Sequence, residues 1–399
     1  MRILILTNKI PYPPIDGGSI ATLNLSLSLS RLGNNITLLA MNTAKHYYAV
    51  KKIPPEITNQ IKLIAIDVPA KISIRGALKN LFFSKNAYTA ERFYTADYRQ
   101  ALRDLLQSEV YDIIQLEGLY LGLYIPLIRK YSKAKIIYRA HNLEFEIWQR
   151  AAYRSGYIKS LYFKNLSTRL LKLEKKLLPQ YDAILPISKK DKEWFLSYAP
   201  KIKFHITPAG IVENLKEQAS SSKIKPDLFH IGALDWLPNQ EGLLWFFDKV
   251  WPVINKKYPT LKFYLAGRNA SAEIKAIKAP NLIFLGEVES ASDFICSHSI
   301  MVVPLFSGSG MRIKIIEAMA LGKTVISTTL GLEGNPAQNN REVLVANNEN
   351  EFLNKIDYLL SQPQKNSELG DAAKKFVNIH FNQKIISKKV QEFYLNLLK

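Results

Sequence analysis

A chain of 399 residues can hold two domains of roughly 200 residues with full cores. Its 47% hydrophobic and 22% charged content is ordinary for a globular protein, and no apolar run reaches the ~18 residues of a spanning helix, which excludes disordered, fibrous and membrane-spanning classes. The net charge of +20 is uneven, with 32 Lys and Arg against 16 Asp and Glu in residues 1–215 and 22 against 18 thereafter; such a field attracts phospholipid, nucleic acid or phosphorylated substrates, or simply aids solubility.

Residues 3–7 are too short an apolar run for a signal-peptide core and read as the first strand. The loop Pro11-Tyr12-Pro13-Pro14-Ile15-Asp16-Gly17-Gly18 follows, then a helix over 19–32 closed by Gly33, and a second strand over 35–40. Strands alternating with helices predict a doubly wound parallel sheet, in which Gly17 and Gly18 stand beyond the carboxyl end of a strand, where ligands bind. Between 65 and 103, Lys71, Arg75, Lys79, Lys85 and Arg92 are interleaved with Leu78, Phe82, Phe83, Tyr88 and Phe93. That pattern suits a surface on anionic lipid, an acceptor groove, or an ordinary amphipathic helix; a basic stretch over 162–176 invites the same readings. Residues 111–116 and 136–138 are buried-strand patterns, and His141 comes just after the second. Glu144 and Glu146 fit the first turn of a helix. A strand over 181–186 precedes Ser188, a helix N-cap, and 204–208 closes the domain. Residues 213–226, with Ala219-Ser220-Ser221-Ser222, read as a linker.

The second half opens with a strand over 228–232, the loop Ala233-Leu234-Asp235-Trp236-Leu237-Pro238-Asn239 and a helix. Strands over 262–266 and 283–286 follow, with Arg268 just after the first. Cys296, the only cysteine, excludes an internal disulfide and reads as a buried small apolar residue in a reducing compartment. A strand over 301–303 leads into Ser307-Gly308-Ser309-Gly310 and a helix beginning near Met311, with Ile313, Ile316, Met319 and Ala320 at helical spacing. A Gly-rich turn at a helix N-terminus is an anion site. Arg312 and Lys314 add full charges in its first turn, the one able to fork onto two phosphate oxygens and the other a movable point charge. Glu317 can accept the two hydrogen bonds of a ribose diol. The helix stops at Gly322, a strand covers 324–327, and 371–399 is one or two terminal helices.

The segment GSGMRIKIIEAMALGKTVISTTLGLEG resembles the donor-nucleotide segment of retaining glycosyltransferase family 4, and PYPPIDGGSIATLNLSLSLSRLG and RAHNLEFEIWQR resemble that family's first loop and histidine motif. The resemblance implies a GT-B fold, two Rossmann-like parallel-sheet domains facing across a cleft: 1–212, the linker 213–226, a nucleotide-sugar domain at 227–377, and a terminal helix at 378–399 packing back on the first domain. It implies that Glu317 holds the ribose, that His141 touches the transferred sugar, and that Gly17, Gly18, Arg268, Ser309, Gly310 and Met311 line the donor site with Arg312 and Lys314. Ser309 stands where many members carry the first glutamate of Glu-x7-Glu, and Asp-Trp-x-Pro-Asn replaces the usual diphosphate cations, as in one subgroup.

No Asp-x-Asp occurs and no His or Cys cluster has metal-ligand spacing, so neither metal nor cofactor is required. The expected activity is hexosyl transfer from a UDP- or GDP-type sugar to a glycan or lipid-linked glycan, in the cytoplasm or on the inner face of the cell membrane, with no nucleic-acid partner. A non-catalytic GT-B binding protein and a nucleotide-sugar epimerase are the alternatives. A dinucleotide oxidoreductase is disfavoured because the first βα turn lacks Gly-x-Gly-x-x-Gly.

Overall fold

The computed structural model describes residues 1–153, 155–212, 226–308 and 310–399. Of the predicted linker only Pro226 is among them, and Ser309 lies outside them. The chain divides into two compact units, Met1–Gly210 with Gln383–Lys399, and Ile211–Asn382.

The first unit is built on seven strands: β1 (Arg2–Thr7), β2 (Asn35–Thr43), β3 (Lys62–Val68), β4 (Ile113–Glu117), β5 (Lys135–Ala140), β6 (Ala183–Pro186) and β7 (Lys203–Phe204). They order as β3-β2-β1-β4-β5-β6-β7, every pair parallel. A parallel sheet buries both faces, which is why these strands are continuous apolar runs. Leu4, Leu6, Leu39 and Met41 pack to one side against Tyr98, Leu102 and Leu170. Ile3, Ile5, Leu38 and Ala40 pack to the other against Leu23 and Leu29 of the helix Gly17–Arg31 and against Ile386, Val390 and Tyr394. The C-terminal helix Gln383–Leu398 thus completes a core layer of the first unit.

The second unit has β8 (Leu228–Ile231), β9 (Phe263–Ala266), β10 (Leu282–Gly286), β11 (Ile300–Val303), β12 (Thr324–Ser327) and β13 (Leu344–Val345), ordered β10-β9-β8-β11-β12-β13 and again parallel. Leu228, Phe263, Val302 and Ile326 face Leu243, Phe246 and Phe352. Phe229, Met301, Val303 and Val325 face Ile315, Ile316, Met319 and Val377.

Glu144 and Glu146 stand in the first turn of the helix Glu144–Tyr153, as expected. Glu144 is half-buried: Tyr120 Oη donates to it at 2.7 Å, and burial pushes its carboxyl up. Glu146 pairs with Arg150 at 2.9 Å and Lys190 at 3.1 Å. One expectation is corrected. Cys296, expected to be buried, ends a short helix and is only partly covered.

Candidate functional site

In open α/β sheets ligands bind beyond the carboxyl ends of the strands, where the strand order reverses. In the second unit that point lies between β8 and β11, so residues 232–236, 304–308 and 310–312 define the candidate site.

Close backbone approach shapes this edge. A Cβ on Gly267 would stand 1.9 Å from the Gly232 carbonyl oxygen, and one on Gly242, in the helix Leu237–Trp245, 1.7 Å from that of Pro304. The loop after Pro304 is held on the same helix. Ser307 Oγ donates to Glu241 Oε2 at 2.8 Å, and Phe306 packs edge-on against Trp245 at 4.6 Å between centroids. Gly242→Ala is therefore expected to push the loop outward, costing about 1–3 kcal/mol of stability. Thermal unfolding reads that loss, and an unchanged melting temperature would show that the loop is not seated there.

Gly308 has φ 95°, and a Cβ there would meet the Trp236 ring at 2.8 Å and an Arg312 guanidinium nitrogen at 2.9 Å. Only glycine fits. Arg312 lies over the Trp236 ring, 5.0 Å from its centroid, and donates to the Gly310 carbonyl. This corrects the predicted helix start. Gly310, at φ 85°, and Met311 precede the helix, which spans Ile313–Ala320 with Arg312 just before its first turn.

Lys314 and Glu317 stand one turn apart on that helix, so their side chains share a face. Lys314 Nζ donates to His230 Nε2 at 3.0 Å and Asn239 Oδ1 at 2.9 Å. His230 is wholly buried in β8, and burial, then Lys314, holds its imidazole well below the ordinary histidine range. It is therefore neutral, with Nδ1–H donating to the Val302 carbonyl at 2.7 Å and Nε2 left to accept. Lys314 thus has only neutral partners among the described residues; burial, with the Arg312 charge beside it, pulls its amine well below the ordinary lysine range. Glu317 is partly covered, burial raises its carboxyl, and among the described residues no side chain hydrogen-bonds to it. An ammonium without a carboxylate beside a carboxylate without a donor is an arrangement for an external ligand with an anionic and a hydroxylated part. Arg268 follows β9, and its carbonyl accepts from Leu234 N, in the loop after β8, at 2.9 Å.

In the first unit the strand order reverses between β1 and β4. Asp16 caps the helix Gly17–Arg31, accepting from Ser19 N at 3.0 Å and pairing with Lys9 at 2.6 Å. Burial opposes its ionisation, but Lys9 and the Ser19 N–H together hold the carboxyl below its ordinary value. A Cβ on Gly18 would meet nothing nearer than 3.5 Å, so the fold itself does not demand glycine; its effect is to leave the helix N-terminus uncovered.

His141 is brought to this edge by β5. Its Nε2 lies 2.6 Å from Glu117 Oε2, which also accepts from Thr22 Oγ1 at 2.9 Å; Glu117 Oε1 takes Gln115 Nε2 and lies 3.5 Å from Arg139 Nη1. Burial disfavours the Glu117 charge, yet Arg139, His141 and Thr22 outweigh it and hold the carboxyl at about 2. An ionised carboxylate only accepts, so His141 Nε2 carries a proton and donates it to Glu117 Oε2. The expected result is a protonated Nε2 on His141 in 15N NMR at pH 7; an unprotonated Nε2 would contradict this geometry.

The structure therefore gathers Gly310, Met311, Arg312, Lys314 and Glu317 at one sheet edge, and Gly17, Gly18 and His141 at another. Sequence reasoning missed Glu117, His230 and the part of Asn239. The signal for Glu117 was a carboxylate ending a parallel strand before Gly118; for His230 it was one titratable residue inside the apolar run 228–231. Among the described residues no three His, Cys, Asp or Glu gather as metal ligands would, and no helix is long and apolar enough to cross a membrane.

Residues 225–362 match the family described as Glycosyl transferases group 1. An uncharacterized 44.6 kDa protein in the cps region of Klebsiella pneumoniae is 23% identical over 381 residues, covering 89% of this chain and 90% of that one. Among solved structures, sucrose-phosphate synthase from Thermosynechococcus elongatus superposes with a TM-score of 0.71 at 18% identity, covering 100% of this chain and 99% of that one. HepE of Anabaena, solved in complex with UDP, gives 0.69 at 14%, covering 99% and 100%. With the two parallel-sheet units, these likenesses show the GT-B fold.

Proposed function

We propose that this protein is a retaining glycosyltransferase of family 4 that moves a hexosyl group from a UDP- or GDP-type sugar to a glycan or lipid-linked glycan, without a metal ion. The observation that carries the reading is the pair on one helix turn: among the described residues, Lys314 has neutral partners only and no side chain hydrogen-bonds to Glu317. Lys314 and Arg312 meet the diphosphate and Glu317 the ribose hydroxyls. Arg268, Gly310 and Met311, with Ser309 in the sequence between, complete the donor set. The solved likeness of HepE in complex with UDP favours a uridine base. In this reading His141, positioned by Glu117, serves the transferred sugar, and Gly17 and Gly18 are donor contacts. A cytoplasmic place on the inner face of the membrane belongs to the same reading.

The bond from the anomeric carbon to the diphosphate breaks, and its electrons go to the diphosphate. Fixed cations stabilise that charge where it develops, while the sugar becomes oxocarbenium-like. The acceptor oxygen attacks from the departing face and passes its proton to a phosphate oxygen, which retains configuration. The test is slow donor hydrolysis with water as acceptor, followed by 1H NMR in EDTA. Release of nucleoside diphosphate with a retained anomer is expected. Inversion would refute the retaining mechanism, and a need for added metal would refute its independence.

A further inference from the structure

The helix Ile74–Phe83 is built inside out. Gly76, Ala77 and Asn80 face the protein, while Ile74, Leu78 and Phe82, four residues apart, form an outward apolar stripe. Ile74 is 80% exposed, Phe82 75% and Phe83 84%. The helix is held by polar contacts instead. Arg169 donates to the Leu81 carbonyl at 2.8 Å and the Asn80 carbonyl at 3.2 Å, and Asn80 Nδ2 donates to the Asn86 carbonyl at 3.2 Å. Arg75 and Lys79 flank the stripe. In the same unit, Tyr157 and Ile158 are 81% and 82% exposed at the start of the helix Tyr157–Leu177, the helix that supplies Arg169. Both segments lack acid: residues 68–90 hold four Lys and Arg and residues 147–173 six, with no Asp or Glu in either.

We propose that this face docks on an anionic phospholipid bilayer, with the stripe entering the headgroup boundary and the flanking cations meeting lipid phosphates. Apolar side chains flanked by Arg75 and Lys79 match an interfacial helix, and Glu91, the carboxylate that touches this helix, is taken up by Asn80 Nδ2 and Ser84 Oγ. The like charge of the face opposes pairing with a second copy of itself. This deepens the membrane part of the proposed function and rests on that part alone.

The test is flotation of the full chain with vesicles of phosphatidylcholine, alone or mixed with phosphatidylglycerol, at low and high salt. Wild type is expected to float with the mixed vesicles, less so at high salt, and not with phosphatidylcholine alone. Phe82→Ser with Phe83→Ser should weaken binding about tenfold or more, and Arg75→Glu with Lys79→Glu should abolish the preference for anionic vesicles. Absent binding by wild type, or full binding by both variants, would overturn the proposal. A solution dimer dissolved by the serine substitutions would also overturn it, by assigning the face to a second copy. Thermal shifts with nucleotide sugars, run on the same proteins, separate this outcome from the donor reading, since exposed substitutions on this helix leave that site intact.

Discussion

Glu117→Ala is expected to lower folding stability by about 3–5 kcal/mol, because it leaves Arg139, only 1% exposed, as a buried charge without its carboxylate. The pH dependence checks the same claim. The Glu117 carboxyl lies at about 2 in the folded chain against an ordinary 4.5. A carboxyl depressed by folding contributes stability that is fully present above 4.5 and lost as pH falls through about 2; that shift corresponds to roughly 3 kcal/mol. Urea unfolding should therefore show a wide gap between wild type and variant at pH 7 that narrows steadily below pH 4.5. Glu117→Gln, which keeps the shape and the hydrogen bond from Thr22 but not the charge, should fall between the two. Equal stability of wild type and the alanine variant would mean that Arg139 is balanced in some other way.

Lys314→Met is expected to weaken nucleoside diphosphate binding by about 10–100-fold, the loss of one charged hydrogen bond of roughly 1.5–3 kcal/mol. The same change should leave stability level or improved, because the ammonium is held among neutral partners at a desolvation cost that methionine does not carry. Opposite movement of affinity and stability is the mark of a residue placed for a ligand. Isothermal titration of the diphosphate, paired with thermal unfolding, reads both. Destabilisation with unchanged affinity would make Lys314 a structural tether of His230 and Asn239.

Much of the frame was legible. Buried parallel strands must be apolar on both faces, so 301–303 and 324–327 stood out as runs, and His141 was visible because it follows one. Glu117 is the next residue after the predicted strand 111–116 and belongs to the observed β4, but nothing local says that a histidine 24 residues later will reach it. The Lys314–His230 contact spans 84 residues and exists only because β8 and β11 are neighbours in the sheet. The helix start was misplaced for a local reason. Ile313 and Ile316 set a periodicity that extrapolates back to Met311, whereas Gly310 at positive φ and the return of Arg312 to its carbonyl keep 311–312 out of the helix. The 74–83 helix carried the right residues for an amphipathic helix; which side faces the protein is decided by Arg169 and Asn80, which sequence periodicity does not weigh.

The most direct test of a donor site at the β8–β11 edge is a thermal-shift panel of UDP-, GDP- and ADP-sugars, each with EDTA, on wild type and Glu317→Ala. A ligand at 100 times its dissociation constant adds about 2.7 kcal/mol to the folded state. The account predicts a clear rise in melting temperature with one nucleotide sugar, undiminished by EDTA and lost in Glu317→Ala. No rise with any of them, or an equal rise in the variant, would contradict it.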